Sequence, residues 1–194
     1  SIPLAEFLRP KDIKDIVGQE HILGEGQSLK VAIDSGNLPS MILWGPPGVG
    51  KTTIARVIAL NVEAQFIALS AVLSGVKEIR ESVEKAQFAS DQQNKKTILF
   101  VDEVHRFNKS QQDAFLPHIE SGLIIFIGAT TENPSFEVNS ALLSRCQTYV
   151  LKTLSLDPLT KIIDKVINEY KKISLDDLAR KMILTYANGD ARRL

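Results

Sequence analysis

Gly45-Pro46-Pro47-Gly48-Val49-Gly50-Lys51-Thr52 fits the spacing G-x-x-x-x-G-K-[ST]. Glycines at both ends let the backbone turn tightly around an anion with its N–H groups pointing inward, and Lys51 and Thr52 then face terminal phosphates and a magnesium ion. A Gly/Pro turn that merely precedes a lysine is the plain alternative, and the flanks weigh against it. Met41 to Trp44 (MILW) is a short apolar run suited to a buried strand. Thr53 to Leu60 (TIARVIAL) is apolar enough to be a buried helix. Strand, loop and helix in that order are the setting this motif requires, so a nucleoside triphosphate with Mg2+ is the expected ligand.

Two more strand ends carry polar residues that suit the same chemistry. Thr97 to Val101 (TILFV) is a continuous apolar run ending in Asp102-Glu103, as expected of a parallel strand covered on both faces. Its acids therefore emerge at the carboxyl end, where ligands bind in open α/β sheets. Adjacent acids are usually a solvated turn. Behind a phosphate loop, Asp102 reads as a magnesium ligand together with Thr52, and Glu103 as the base that orients and deprotonates an attacking water. Leu123 to Ile127 is a further strand leading into Gly128-Ala129-Thr130-Thr131. Thr131 is the candidate for holding water near the γ-phosphate, although a threonine pair in a strand is commonly just β-propensity.

The remaining segments complete an α/β pattern. Ser28 to Ser35 reads as a short helix stopped by Gly36-Asn37, Gln65 to Leu69 as a strand, and Val76 to Ala89 as an amphipathic helix with Val76, Ile79, Val83, Ala86 and Phe88 or Ala89 inward. Asp91 to Lys96 reads as a polar loop, Ser110 to Ile119 as one helix, Ser140 to Ser144 as a short helix before Arg145-Cys146, and Tyr149 to Leu151 as the last strand. Ser1 to Gly26 shows no sustained period. The alternation favours right-handed crossovers, and hence a five-stranded parallel sheet with helices on both faces over residues 1–152. From Leu154 the pattern is helical only. Leu159, Ile162, Ile163, Val166, Ile167 and Tyr170 form one stripe, and Ser174 with Asp177 resembles a capping box before a helix from Leu175 to Asn188 closed by Gly189. Residues 153–194 are thus expected to be a small helical lid, cut short.

Bulk properties narrow the class. With 194 residues and 44% apolar content, disorder is excluded. Lys plus Arg and Asp plus Glu both number 23, so any nucleic-acid contact must come from a local patch or an oligomer's channel. Cys146 is the single cysteine, which leaves no internal disulfide and fits a reducing compartment. His21, His105 and His118 lack metal-ligand spacing and read as structural or surface groups. The lack of a membrane-length apolar run or signal-like start makes a cytoplasmic protein the expectation. A start without Met and an end inside a helical pattern suggest a longer parent protein.

With these residues assembled, the chain resembles an AAA+ ATPase. Gly45 to Thr52 matches Walker A, Phe100 to Glu103 Walker B, Thr131 sensor 1, Ser144-Arg145-Cys146 the arginine-finger motif of clamp loaders, and Gly189-Asp190-Ala191-Arg192 sensor 2. Within that superfamily, Ser74 to Arg80 (SGVKEIR), Asp102 to Glu120 (DEVHRFNKSQQDAFLPHIE) and Gly128 to Phe136 (GATTENPSF) resemble the replication-associated recombination protein A family. The resemblance implies an ATPase, with ATP and Mg2+, stimulated by DNA single-strand/duplex junctions and forks. It also implies action at stalled replication forks beside other fork proteins, homotetramer formation in the full-length protein, and a cytoplasmic, nucleoid-associated location. It adds Thr53 to the phosphate contacts, sets Arg9-Pro10 and Ile16-Val17 beside the adenine, and gives catalytic roles to Arg145 and Arg192. A clamp-loader subunit, a branch-migration motor and a non-hydrolysing nucleotide-binding scaffold are the alternatives. Intact Lys51, Asp102, Glu103 and Arg145 argue against the scaffold. One position departs from the superfamily: Ser70 stands at the second strand's end, where Asn often partners the catalytic glutamate, so the partner of Glu103 is open.

Overall fold

The computed structural model describes residues 10–153 and 161–166. Five parallel strands form one sheet: β1 (Met41–Trp44), β2 (Gln65–Ser70), β3 (Thr97–Asp102), β4 (Ile124–Thr130) and β5 (Gln147–Val150), in the spatial order β2-β3-β4-β1-β5. The helices are α1 (Glu20–Leu23), α2 (Ser28–Ser35), α3 (Lys51–Asn61), α4 (Val76–Gln93), α5 (Lys109–Asp113), α6 (Leu116–Glu120), α7 (Pro134–Glu137) and α8 (Ser140–Leu143). The helix α3 carries the chain from β1 to the far edge. The connections β2 to β3, β3 to β4 and β4 to β5 all step back the other way. Right-handed crossovers must then put α3 on one face and the returning helices on the other.

The two cores show this division. Alternate strand residues point to opposite faces: Met41, Leu43, Ile98, Phe100, Ile127 and Ala129 pack with α2 and α3, which contribute Leu29, Ile33, Ile54 and Ile58. Ile42, Leu99, Val101, Ile124 and Phe126 pack with Ile79 and Ala86 of α4, Phe115, and Leu142 of α8. Both faces of the inner strands are dry, which is why their sequences read as unbroken apolar runs. Phe107, Phe115 and Phe126 form a tilted aromatic series, with the last two ring centroids 5.1 Å apart.

Several sequence-based boundaries need correction: the last strand runs Gln147–Val150 rather than Tyr149 to Leu151, and β4 runs Ile124–Thr130 rather than Leu123 to Ile127. Asp91 to Lys96 is not a loop throughout, because α4 continues to Gln93 and is closed by Asn94 in the left-handed conformation (φ 48°), a stop that Asn tolerates. Ala89, not Phe88, faces inward, and Val76 is exposed. The helix expected over Ser110 to Ile119 is two pieces, α5 and α6, with Pro117 in the first turn of the second; proline lacks the N–H that a continuous helix would use there. The lead-in is not wholly irregular, since Ile13–Asp15 form a 3-10 turn capped by Asp12 and α1 follows. The helices expected after Leu154 lie outside the described residues except at 161–166, which are helical.

Candidate nucleotide site

The parallel register brings the candidate groups to one rim of the sheet. Trp44 of β1 pairs with Thr130 of β4, and Ser70 of β2 with Asp102 of β3. The residues that follow each strand, Gly45, Glu103 and Thr131, therefore start their loops at a common level. A cavity of about 500 Å³ opens there, lined by Pro47 to Ile54, Asp102, Glu103 and Thr131, and on its other walls by Pro10, Asp15, Ile16, Val17, Arg56, Lys161, Ile162 and Lys165.

The loop before α3 owes its shape to residues without side chains and to one apolar anchor. Gly48 and Gly50 have φ of 83° and 92°, which side-chain-bearing residues adopt only with strain. Gly45 sits so close to the residue after β5 that a Cβ would lie 2.9 Å from Leu151 Cβ. Val49 is buried in the core beneath the loop, so a residue the motif leaves free holds the loop down. Lys51 opens α3 and is only 8% exposed. Its Nζ donates to the Gly45 and Pro46 carbonyls at 2.6 and 3.0 Å. Gly45 and Pro46 thus serve the site from behind the cavity wall.

Glu103 follows β3 with φ 55°. A non-glycine residue held in the left-handed region stores about 1–2 kcal/mol, of the kind that collects at functional sites. His105, set aside in the sequence as structural or surface, is a nearly buried neighbour: its Nε2 lies 3.1 Å from Glu103 Oε2, with the imidazole 8% exposed. Its Nδ1 lies 2.8 Å from Thr130 Oγ1. Thr130 is fully buried, whereas the adjacent Thr131 faces the cavity.

The N-terminal segment, which gives Pro10, Asp15, Ile16 and Val17 to the cavity wall, is fastened to the chain leaving β5. The buried Gln19 amide donates to the Lys152 carbonyl at 2.9 Å and accepts the Lys152 N–H at 3.0 Å. His21 Nε2 lies 2.6 Å from the Val150 carbonyl oxygen. These bonds pin the segment carrying Ile16 and Val17 against the end of β5.

Three basic wall residues escaped the sequence reading. Arg56 sits on α3 with its guanidinium 4.8 Å from the centroid of the Phe66 ring. Lys161 and Lys165 come one helical turn apart from the stretch at 161–166. Their spacing alone looks like the solvated side of the apolar stripe that included Ile162, and only the folded chain turns it toward the cavity.

Arg145 is not among the cavity-lining residues. It follows α8, and its guanidinium meets Glu120 Oε1 at 2.6 Å through Nε and 2.5 Å through a terminal nitrogen, while also donating to the Ala141 carbonyl at 2.8 Å. Burial pushes the thiol of neighbouring Cys146 up to about 12, so that cysteine is no nucleophile at neutral pH. Arg9 and Arg192 lie outside the described residues.

The donor set matches a magnesium-bound triphosphate. Thr52 and Asp102 offer the hard oxygen ligands Mg2+ takes, the eleven-residue α3 starts at the phosphate loop with the positive end of its dipole, and Lys51 adds a cation.

Comparisons with known proteins agree with this geometry. Residues 41–154 match the family model described as ATPase family associated with various cellular activities (AAA). The Replication-associated recombination protein A of Escherichia coli (strain K12) is 54% identical over 98% of this chain and 44% of that protein. The ATPase WRNIP1 of Dictyostelium discoideum is 48% identical over 98% of this chain and 22% of that protein. The chain therefore spans less than half the length of these curated relatives. Among solved structures, the Thermotoga maritima RuvB Holliday junction branch migration motor superposes with a TM-score of 0.76 at 28% identity, covering 96% of this chain and 62% of that one. The phosphate loop, the paired acids beside it and these likenesses together show that the chain belongs to the AAA family of ATPases and, within it, to the replication-associated recombination protein A family.

Proposed function

We propose that this chain is the ATP-hydrolysing part of a DNA-stimulated AAA+ protein that acts at stalled replication forks, in replication-associated recombination and repair. The observation that carries the reading is the meeting of Gly48 to Thr53, Asp102, Glu103 and Thr131 on one cavity. In this reading, residues 1–152 form the nucleotide-binding core and 153–194 belong to a helical lid. Lys51 and the loop N–H groups bind the phosphates, and Thr52 and Asp102 hold the magnesium ion. That ion supplies charge neutralisation at the β- and γ-phosphate oxygens when bound. Glu103 takes a proton from the attacking water, Thr131 keeps that water near the γ-phosphate, and Arg9, Pro10, Ile16 and Val17 border the adenine. Arg145 reaches the γ-phosphate of a neighbouring subunit, and Arg192 completes the site from the lid.

Homo-oligomerisation would give Arg145 a target, since the cavity of its own chain is not lined by it; assembly as a tetramer in the full-length protein is what the family resemblance implies. DNA forks as partner and a nucleoid-associated, cytoplasmic location are what the sequence resemblance to the replication-associated recombination protein A family implies; among the described residues no helix is long and apolar enough to cross a membrane.

A branch-migration motor is the second reading, favoured by the superposition on RuvB. Phosphate release by the full-length protein separates the two. Forked DNA with a single-strand/duplex junction is expected to accelerate hydrolysis more than a four-way junction does; the reverse preference favours the motor, and no hydrolysis with any DNA overturns both.

A further inference from the structure

A nearly buried imidazole bridges the loop after β3 and the end of β4 beside the cavity. His105 lies on the 3-10 turn Val104–Arg106 that follows the acids of β3. Its Nε2 is 3.1 Å from Glu103 Oε2. A carboxylate only accepts, so Nε2 carries the hydrogen, and in the neutral imidazole Nδ1 is then the acceptor for the Thr130 hydroxyl at 2.8 Å. The same hydroxyl oxygen accepts the Glu132 N–H at 3.0 Å, and the Glu132 carbonyl at 3.2 Å is a second, longer-range acceptor for its single hydrogen. The Thr130 carbonyl in turn accepts the N–H of Gly45, the first residue of the phosphate loop, at 3.1 Å. A hydrogen-bonded chain thus runs from the phosphate loop through β4 and His105 to Glu103. Ser70, which the β2 end offers as the glutamate's partner, makes no hydrogen bond to Glu103 among the described residues.

We propose that His105 is the positioning residue for Glu103: it holds one carboxylate oxygen, anchored through Thr130, and leaves the other turned to the cavity for water. The geometry suits this role. Glu103 sits in a left-handed backbone conformation on a loop, and a long side chain there would otherwise sample several rotamers. A nearly buried donor removes that freedom without drawing the carboxylate out of the cavity it lines. Because Thr130 is bonded to Gly45 and adjoins Thr131, the orientation of the base is tied to the two other elements that would meet the γ-phosphate.

The proposal rests on Glu103 being the base, so the test is built in two arms in the full-length protein. ATP turnover is measured alongside affinity for a fluorescent ATP analogue. In the first arm Glu103→Gln reports on the base itself. In the second, His105→Ala is expected to lower kcat about tenfold to a hundredfold, as losing a group that orients a reacting one typically does, with KM and analogue affinity unchanged. His105→Gln, whose amide can still donate to the carboxylate, recovers part of kcat. Introduced on top of Glu103→Gln, His105→Ala produces no further loss, because the two act as one unit. Thr130→Val, which keeps the volume and removes the hydroxyl, shows a smaller loss of kcat and none on top of His105→Ala. This variant and His105→Gln decide the matter should His105→Ala not fold.

Wild-type kcat in the His105 variants, a parallel fall in affinity, or a full additional loss in the Glu103→Gln background overturns the positioning role. Wild-type turnover by Glu103→Gln instead overturns the assignment of the base, and with it the reading of the site.

Discussion

The loops after β1, β3 and β4 differ in kind from the loop that leads into β5. At the first three, polar groups are buried or partly buried and bonded to one another, with Lys51 on the loop carbonyls, Glu103 on His105 and His105 on Thr130, and Lys51, Glu103 and Thr131 line one cavity. At the fourth, Arg145 is held on the surface by Glu120, with side chains 37% and 54% exposed. An exposed pair of this kind contributes at most about 1 kcal/mol and weakens with salt. The contrast teaches that the groups proposed to bind phosphate and activate water meet within one chain, whereas the arginine is parked in a contact weak enough to exchange for a stronger one. Its proposed target is a neighbouring subunit's phosphate.

The sharpest way to break this contrast is Arg145→Ala. A trans-acting arginine is worth on the order of 10³–10⁵ in rate, so this variant of the full-length protein should be nearly inactive, as should Lys51→Ala. Mixed together they should recover part of the activity, because a Lys51→Ala subunit still donates Arg145 to a neighbour with an intact phosphate loop. If subunits demonstrably exchange and no activity returns, the arginine does not act in trans. Glu103→Gln comes next. It should keep ATP bound and slow hydrolysis by about two to four orders of magnitude, the range for a lost general base. Loss of binding together with turnover would mean that Glu103 helps to hold the nucleotide or the loop.

Smallest is Glu120→Ala, which sharpens the comparison from the other side. Thermal unfolding should move by less than about 1 kcal/mol, and turnover by the assembled protein should hold steady or rise, since Arg145 is released rather than lost. A large drop in turnover would show that the pair with Glu120 positions the arginine for its task.

Much of the architecture was legible before folding because parallel strands buried on both faces leave continuous apolar runs, as in Met41 to Trp44 and Thr97 to Val101. Glycine, lysine and threonine at fixed spacing likewise announce the phosphate loop. Boundaries were less legible where single residues overrule the periodic pattern. Pro117 divides a helix whose apolar spacing looks unbroken, and Asn94 ends α4 later than the polar run around it suggests.

By itself the sequence determined the order of strands and helices, the phosphate loop, and the arrival of Asp102, Glu103 and Thr131 at strand ends. These follow from short-range spacing and from the handedness of crossovers, which one chain read in order contains. Tertiary structure alone decided that His105 is the neighbour of Glu103, that Arg56, Lys161 and Lys165 turn toward the cavity, and that Arg145 rests on Glu120. Most of these contacts join separate elements of the chain, and even the Glu103–His105 pair depends on the turn between β3 and α5 and on the hydroxyl of Thr130. No local periodicity encodes such contacts, because packing selects which polar side chain meets which only once the sheet has set its register.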